Sequence, residues 1–243
     1  MNFNEIKEDI FKDLSTRIVY VSKRLFETGL VKSTFGVVSV RLPKTDYVII
    51  TPSGYSKEKV SVENLIVVNF EGKVVRGTLR PSVETPMHLY IHQRIPEANC
   101  VIHTHSPMAT AFAIVEKDIP CVSAEQAFML GGRVPIVKKY SFPGTTKLEE
   151  LESIVEALRK CKAALLRKHG IVIIGSTPEE ALDNAIIVED VATMTIYSLM
   201  LGKPIEFTVD DINYIQDFKK TRYGQKPETL NKVKAHDRGQ IHQ

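Results

Sequence analysis

Besides Thr51-Pro52, which is predicted as a turn, three Ser/Thr-Pro pairs divide the chain, and each is typical of the start of a helix. They are Thr85-Pro86, Ser106-Pro107 and Thr177-Pro178. A hydroxyl side chain can cap the free N–H groups of a first turn, and proline fits that turn because it has no N–H to leave unbonded. The pairs therefore predict three helices, and the last of these is long and ends at Gly202-Lys203-Pro204.

Short apolar segments lie between these helix starts and predict strands. They cover residues 34–41, 47–51, 65–70, 73–76, 100–105, 134–137, 163–167 and 171–174. Helical spacing of apolar residues also predicts helices over about 4–28 and 147–160, with a short helical piece at 57–60. Hairpin turns such as Glu71-Gly72 are frequent, and strands and helices alternate irregularly. We therefore expect a mixed, largely antiparallel sheet covered by helices.

Composition and charge exclude several classes of protein. Hydrophobic residues make up 43% of the 243, which indicates a packed core and excludes a disordered chain. Residues 214–243 hold seven lysines and arginines against three acids, so this tail carries a charge of +4 and the other residues together −1. Residues 1–213 are nearly neutral, so they provide no basic surface of the kind that binds nucleic acid. No glycine-rich nucleotide-binding motif is present. We predict one domain over residues 1–205 and a separate basic tail over 206–243, partly helical or mobile.

The sequence also predicts where the protein works. Its apolar segments fall short of the roughly 20 residues that a membrane span needs, and the first residues are polar and acidic, unlike a signal peptide. Cys100, Cys121 and Cys161 are an odd number without paired spacing, as expected for reduced thiols. We therefore expect a cytoplasmic protein without a membrane partner.

His103-Thr104-His105 is the clearest candidate for chemistry. Side chains two apart on a strand share a face, so these two imidazoles could bind one metal ion. His169 lies in a predicted tight connection between two apolar strands and could supply a third nitrogen. Three neutral imidazoles suit zinc with one open position, although iron, manganese or cobalt could also bind.

Glu84 lies at the junction of a loop with the helix of Thr85-Pro86. It could serve as a general base or metal ligand, or merely as an acid near a positive helix end. Glu84, His88 and His92 are spaced by four residues and form a rival metal constellation. We expect Glu84 to precede the helix, however, which favours packing roles for the two histidines.

Six sequence blocks occur in the order found in one known family. They are GVVSVR (36–41), TPSG (51–54), RPSVETPMHL (80–89), HTH (103–105), YSFPGT (140–145) and KHG (168–170). Over residues 5–202 the chain resembles the class II aldolase/adducin family, nearest to its zinc-dependent L-fuculose-1-phosphate aldolases. The resemblance implies a three-layer α/β/α sandwich around a mixed, largely antiparallel sheet. It also implies a cyclic homotetramer with active sites between subunits and one zinc ion per subunit.

The resemblance also implies residue roles. His103, His105 and His169 would bind zinc, and Glu84 would be the acid/base residue that can coordinate the metal when substrate is absent. Tyr140 would reach into the neighbouring subunit's site and assist the departing aldehyde. The residues of the implied substrate-phosphate pocket are Gly36, Val37, Ser53, Gly54, Ser82 and Val83. A tail tyrosine, Tyr214 or Tyr223, would join the site.

The implied activity is cleavage of a ketose 1-phosphate to dihydroxyacetone phosphate and a small aldehyde through a zinc-stabilised enediolate. Glu84 favours this lyase activity, because the family's L-ribulose-5-phosphate 4-epimerases have aspartate there. An epimerase of that kind remains an alternative. So does a decarboxylase or aldolase that acts on a non-phosphorylated or deoxy substrate. A non-catalytic adducin-like module is a further alternative, but it would not need three histidines and Glu84.

Two residues depart from the family pattern at the phosphate pocket. The pattern reads Gly-Asn where this chain has Gly36-Val37, and Ser-Ser-Glu where it has Ser82-Val83-Glu84. Valine offers no hydrogen bond to an anion. Either backbone amides and serine hydroxyls bind a phosphate without those two side chains, or the substrate carries another group there. We expect a sugar phosphate.

Overall fold

The computed structural model describes residues 8–224, within which eight strands form one sheet. The strands are β1 (Val37–Arg41), β2 (Tyr47–Ile50), β3 (Ile66–Asn69), β4 (Val74–Arg76), β5 (Cys100–Thr104), β6 (Ile136–Val137), β7 (Ala163–Leu166) and β8 (Gly170–Gly175). Their order across the sheet is β4-β3-β2-β1-β5-β8-β7-β6. All neighbours are antiparallel except β6 and β7, which are parallel. The predicted mixed, largely antiparallel sheet is therefore confirmed.

Helices cover both faces of this sheet. Those described are α1 (Glu8–Glu27), α2 (Thr85–Arg94), α3 (Pro107–Ile114), α4 (Ala124–Leu130), α5 (Leu148–Leu158), α6 (Pro178–Leu201) and α7 (Val209–Arg222), with short 3-10 turns at Lys57–Lys59 and Val62–Asn64. Ile102 packs with α1, α3 and α6, whereas its neighbour Val101 packs with α2 and α5. Since successive strand residues point to opposite faces, the two clusters form the two sides of an α/β/α sandwich.

The helix starts agree with the Ser/Thr-Pro prediction in two cases of three. Ser106 and Thr177 are the N-caps of α3 and α6. The start of α2 is different, because Glu84 is the N-cap and Thr85 is already helical. The Thr85 hydroxyl donates to the Ser82 carbonyl at 2.6 Å, so it belongs to the turn before the helix. The expectation that Thr85 caps this helix was therefore wrong by one residue.

One helix was not predicted, and a second lies in the tail that was expected to be partly helical. α4 is only seven residues long and has no proline in its first turn. α7 lies within the predicted basic tail and packs against α4, where the Lys219 ammonium donates to the Phe128 carbonyl at 2.9 Å. A Thr208–Asp211 capping box marks its start and could have been read from the sequence. The remainder of the predicted tail, from 225 onward, lies outside the described residues.

α6 has 24 residues and, by length and composition alone, is apolar enough to cross a membrane. One such helix is weak evidence, since a core helix of a soluble protein meets the same criterion. In the structure α6 packs against α1, α3 and β8. Its buried residues include Leu182, Val188 and Val191.

Candidate metal centre

The site lies where the central strands β1, β5 and β8 run side by side. His103 is on β5, paired with Val37 of β1 on one side and Val172 of β8 on the other. Its side chain is fully buried on the α2 and α5 side of the sheet. His105 follows the end of the strand and is less buried. The sheet register thus fixes the position of His103, whereas His105 lies just beyond the paired residues of the strand.

His169 reaches the same place through the tight turn between β7 and β8. Its neighbour Lys168 has a positive φ of 54°, which sharpens the turn. Gly170 is required by close approach: a Cβ there would lie 2.3 Å from the Thr104 carbonyl oxygen and 2.8 Å from the His105 ring. The Lys168-His169-Gly170 turn therefore brings His169 against the end of β5 only because residue 170 has no side chain.

The three imidazoles converge on one point. Nε2 of His105 lies 2.8 Å from Nε2 of His103 and 3.0 Å from Nε2 of His169. Nitrogen atoms about 3.3 Å apart are expected around tetrahedral zinc with bonds of roughly 2.0–2.1 Å. Two of the three separations are thus slightly shorter than those between ligands of a bound zinc ion, and all three nitrogens lie within 4.8 Å of one another, so small side-chain rotations would accommodate the ion. The predicted juxtaposition of these histidines is confirmed.

The protonation states fit a metal-ligand set. Burial lowers the pKa of all three histidines, to about 4 for His169, so they are neutral near pH 7. His103 Nδ1 lies 2.9 Å from the Ile171 carbonyl oxygen, to which it donates. Its Nε2 therefore carries a lone pair, the form that binds a cation. A divalent metal ion fits this set of donors, whose nitrogens would otherwise face one another at close range.

Glu84 faces the histidines from the start of α2. Its Oε1 lies 3.9 Å from His169 Nε2, and the side chain is almost fully buried. Burial raises the pKa of this carboxyl to about 7, although the backbone N–H of Gly144 favours the ionised form. A carboxyl group that exchanges a proton near neutral pH suits a general acid/base, and its position also allows contact with a bound metal.

Tyr140 contacts His169 of its own chain. Its hydroxyl lies 2.7 Å from Nδ1 of His169, and the two rings stack at 5.4 Å. The resemblance implied that Tyr140 reaches into a neighbouring subunit's site, and that contact stays a prediction beside the one observed in its own chain. Tyr140 follows β6, whose parallel pairing with β7 brings it beside the turn that holds His169. Its side chain is only 1% exposed and belongs to the core on the α2 and α5 side.

Substituting phenylalanine for Tyr140 tests this contact. We expect Tyr140→Phe to weaken metal binding by about 10–100-fold, because an outer partner of a ligating histidine fixes its tautomer and ring orientation. The stacked ring remains, so the melting temperature should change little. Titration with a competing chelator measures the metal affinity. An unaltered affinity would show that the hydroxyl does not orient His169.

A cavity of about 420 Å³ opens over the three histidines. Besides the histidines and Glu84, it is lined by Thr34, Phe35, Gly36, Val37, Pro52, Ser53, Gly54, Ser82, Val83 and Pro143. All six residues of the predicted phosphate pocket are thus brought to one cavity. Sequence analysis did not single out Phe35, whose ring lies 5.3 Å from that of His105, because an exposed aromatic in a loop carries no periodic signal.

The two unusual valines occupy different positions in this cavity. The Val37 side chain is buried and packs with Val48 and Ile50 of the sheet. Val83 is 64% exposed at the cavity rim. The described lining contains no lysine or arginine, so an anion there would depend on hydroxyl groups and backbone N–H groups.

The tail tyrosines lie elsewhere in this chain. Tyr214 and Tyr223 line a second, apolar cavity beside α4, where the Tyr223 ring packs against Phe128 at 4.6 Å. Neither lines the cavity of the three histidines. The role of a tail tyrosine in the site therefore stays a prediction.

The rival constellation of Glu84, His88 and His92 is not a metal site. The rings of His88 and His92 are fully buried and both contact the Ser39 hydroxyl, at 2.7 and 2.9 Å. The packing role expected for the two histidines is confirmed in part, since they also form a polar chain that sequence analysis missed. The spacing of four residues indicated that His88 and His92 share a helix face, but their common partner Ser39 could not be identified because it is distant in sequence.

The chain is similar to known proteins over most of its length. The family profile described as Class II Aldolase and Adducin N-terminal domain matches residues 16–196. The chain is 30% identical over 207 residues to the probable L-ribulose-5-phosphate 4-epimerase UlaF of Mycoplasma pneumoniae, an alignment that covers 80% of this chain and 86% of that protein. It is 34% identical over 174 residues to L-ribulose-5-phosphate 4-epimerase UlaF of Salmonella paratyphi B, with 68% and 76% covered.

Solved structures show the same architecture. An L-fuculose 1-phosphate aldolase superposes with a TM-score of 0.80 at 27% identity, covering 86% of this chain and 96% of that one. The L-fuculose-1-phosphate aldolase of Thermus thermophilus superposes with a TM-score of 0.68 at 29% identity, covering 80% and 98%.

Proposed function

We propose that this chain, which belongs to the class II aldolase and adducin family, is a divalent-metal-dependent enzyme that cleaves a carbon–carbon bond of a small phosphorylated ketose. The observation that carries the proposal is the convergence of three neutral imidazoles beside a buried carboxyl in one cavity. Zinc is the metal we expect, because three histidines leave it one open position for substrate. A bound divalent cation would act as a Lewis acid toward the ketone oxygen of the substrate.

The residues of the chain supply the rest of the chemistry. Glu84 is placed to exchange a proton with the substrate, since it is buried at the cavity wall and titrates near neutrality. In cleavage with release it would deliver a proton to the carbon next to the ketone, whereas in recombination that carbon forms the new carbon–carbon bond instead. Tyr140 keeps His169 in one orientation. The Ser82 hydroxyl oxygen accepts from the Glu84 N–H at 3.2 Å, which leaves its own proton free to donate to an anionic group of the substrate.

Cleavage of this kind can end in two ways. The fragments can recombine after one has turned, which inverts a carbon centre and makes the enzyme an epimerase, or they can leave, which makes it an aldolase. The relatives named L-ribulose-5-phosphate 4-epimerase support recombination, and we place epimerisation of a ketopentose 5-phosphate first. Glu84, together with the structural likeness to L-fuculose 1-phosphate aldolase, favours release as the second candidate.

One experiment tests both outcomes. The zinc-loaded protein and a chelator-treated sample are each incubated with L-ribulose 5-phosphate and with L-fuculose 1-phosphate. NMR follows the C4 epimer in the first reaction, and a coupled assay follows dihydroxyacetone phosphate in the second. We expect metal-dependent turnover of at least one of these ketoses. Unchanged turnover after complete metal removal would refute the proposal, and so would no reaction with a panel of phosphorylated ketoses.

We further propose that the protein assembles as a homotetramer with its sites between subunits. Large apolar side chains are exposed at the C-terminal end of α6 and just after it, among them Met200, Leu201 and Ile205. Exposed apolar surface of this kind is typical of contacts between proteins. Light scattering at several concentrations tests the assembly, and a monomer throughout would exclude it.

Val83 provides a test of the phosphate-binding role. We expect Val83→Ser to lower the Kd for a phosphorylated ketose by about tenfold, because a hydrogen bond to a charged group contributes roughly 1.5–3 kcal/mol and part of this is lost in ordering the side chain. Val83→Ala is the matched control, since it removes the same bulk without adding a hydroxyl. Calorimetry with metal-loaded protein measures the Kd of each variant for the ketose. Equal affinities in the two variants would place the phosphate elsewhere.

A further inference from the structure

A buried chain of polar groups runs beneath the site from α2 into the sheet. The Ser39 hydroxyl on β1 contacts His88 Nδ1 at 2.7 Å and His92 Nε2 at 2.9 Å. His92 Nδ1 in turn lies 2.8 Å from the Ala98 carbonyl oxygen. The side chains of Ser39, His88 and His92 have no solvent exposure, so solvent does not compete for these hydrogen bonds. None of the three is needed for the metal site described above.

The Ala98 carbonyl oxygen, at one end of this series of polar groups, determines the direction of every hydrogen bond in the series. A carbonyl oxygen only accepts, so His92 Nδ1 carries the proton and donates to Ala98. Burial keeps both histidines neutral near pH 7, with pKa values of about 3 for His88 and about 4 for His92. His92 Nε2 is therefore an acceptor, and the single Ser39 hydroxyl proton goes to it. The Ser39 oxygen must then accept from His88 Nδ1, which leaves a lone pair on His88 Nε2.

That lone pair has no partner, and neither does one oxygen of Glu84. His88 Nε2 and Glu84 Oε2 are both buried and lack a hydrogen-bond partner among the described groups. Glu84 is the N-cap of α2, and its backbone carbonyl accepts from the N–H of His88 at 3.2 Å, so the two residues are one helical turn apart. His88 is also close enough to His103 to contribute to lowering its pKa. Two unsatisfied acceptors thus lie one helical turn apart at the metal site.

We propose that His88 is a positioning residue for Glu84, and that its Nε2 and Glu84 Oε2 accept the two hydrogen bonds of one bound water molecule. A water molecule has two protons to donate, which matches two acceptors, and buried waters commonly satisfy such groups. The chain from Ala98 to His88 fixes the tautomer that this arrangement needs. With Oε2 held in this way, Oε1 is directed toward His169 and the reacting centre.

Two substitutions of His88 separate its hydrogen bonds. His88→Asn places an amide N–H near Nδ1, where it can still donate to Ser39, and removes the acceptor at Nε2. His88→Gln places an amide oxygen near Nε2, where it can accept from the water. Ile91→Val, on the same helix and buried in the apolar core, is the control for a general loss of packing.

The kinetic test rests on the proposed function. We expect His88→Asn to lower kcat by about 10–100-fold with KM changed less than about threefold and zinc content unchanged, as for other outer partners of a reacting group. His88→Gln should recover kcat to within about tenfold of the parent, and Ile91→Val should leave kcat unchanged. Equal losses in the asparagine and glutamine variants, or none in either, would overturn the positioning role.

Nitrogen-15 NMR of the unaltered protein tests this series of hydrogen bonds without an activity assay. We expect the His88 and His92 side chains to be protonated on Nδ1 and unprotonated on Nε2, the less common neutral tautomer. A proton on His88 Nε2 would overturn the inference even in an active enzyme. If the tautomers are as expected but no ketose is turned over, the proposed function fails and the hydrogen-bonded chain stands.

Discussion

Replacing His103 with alanine is expected to abolish tight metal binding and all turnover of the substrate while the protein stays folded. His103 supplies one of three converging nitrogens, and two imidazoles on the less buried wall of the cavity cannot hold a divalent ion as firmly. We expect an affinity loss of more than about a hundredfold, beyond what an outer partner of a ligand costs. Metal analysis after dialysis and calorimetric titration with zinc measure this loss.

The control for this variant is Val101→Ala on the same strand. Val101 is fully buried and lies two residues from His103 on the same face, so its truncation disturbs the core without removing a ligand. It should lower the melting temperature and retain one metal ion per chain. If the His103 variant keeps both its metal and its turnover, the three histidines are not the catalytic metal site.

Replacing Glu84 with glutamine is expected to lower kcat by about 10²–10⁴-fold, the range for loss of a general acid/base. Glutamine has nearly the same shape but cannot take up and release a proton at neutral pH. The three imidazoles remain, so the metal content should be unchanged. Steady-state kinetics at saturating zinc separate this effect from metal loss, and Glu84→Asp should give an intermediate rate because it keeps a carboxyl at a shorter reach.

A half-buried carboxylate away from the site provides the control for Glu84. Glu180 accepts hydrogen bonds from the backbone N–H of Ser176 at 2.7 Å and from the Ser176 hydroxyl at 2.5 Å, and it does not line the cavity. Glu180→Gln should reduce stability and leave kcat unchanged. If the glutamine variants at 84 and 180 behave alike, Glu84 contributes to packing only.

Much of the fold could be predicted because its signals are local. The Thr177-Pro178 pair predicted the start of α6 to within a residue, since a capping hydroxyl and a proline act within one turn. Thr85-Pro86 misled by one residue, because the Thr85 hydroxyl bonds to the turn before it instead of to the helix. α4 was missed because seven residues are too few to show a clear helical period.

In the candidate site, too, local contacts could be predicted and contacts between distant residues could not. His103 and His105 could be paired from their spacing, because alternation along a strand is a property of the backbone. The contact between Tyr140 and His169 of the same chain could not be predicted from the sequence. It depends on the parallel pairing of β6 with β7, and the two residues are 29 positions apart. Ser39 was overlooked for the same reason, being about fifty residues from either of its histidine partners.

The mixed sheet with its helical layers, the family, and the three histidines with Glu84 as the residues of interest could all be inferred from the amino-acid order. These follow from short-range rules of backbone geometry and from an ordered set of motifs. The hydrogen-bond partners could be identified only in the folded chain: the Nδ1 contacts of His169, His103 and His88, and the unpaired oxygen of Glu84. A hydrogen bond requires two atoms within about 3 Å, and only the folded sheet brings residues so distant in sequence that close.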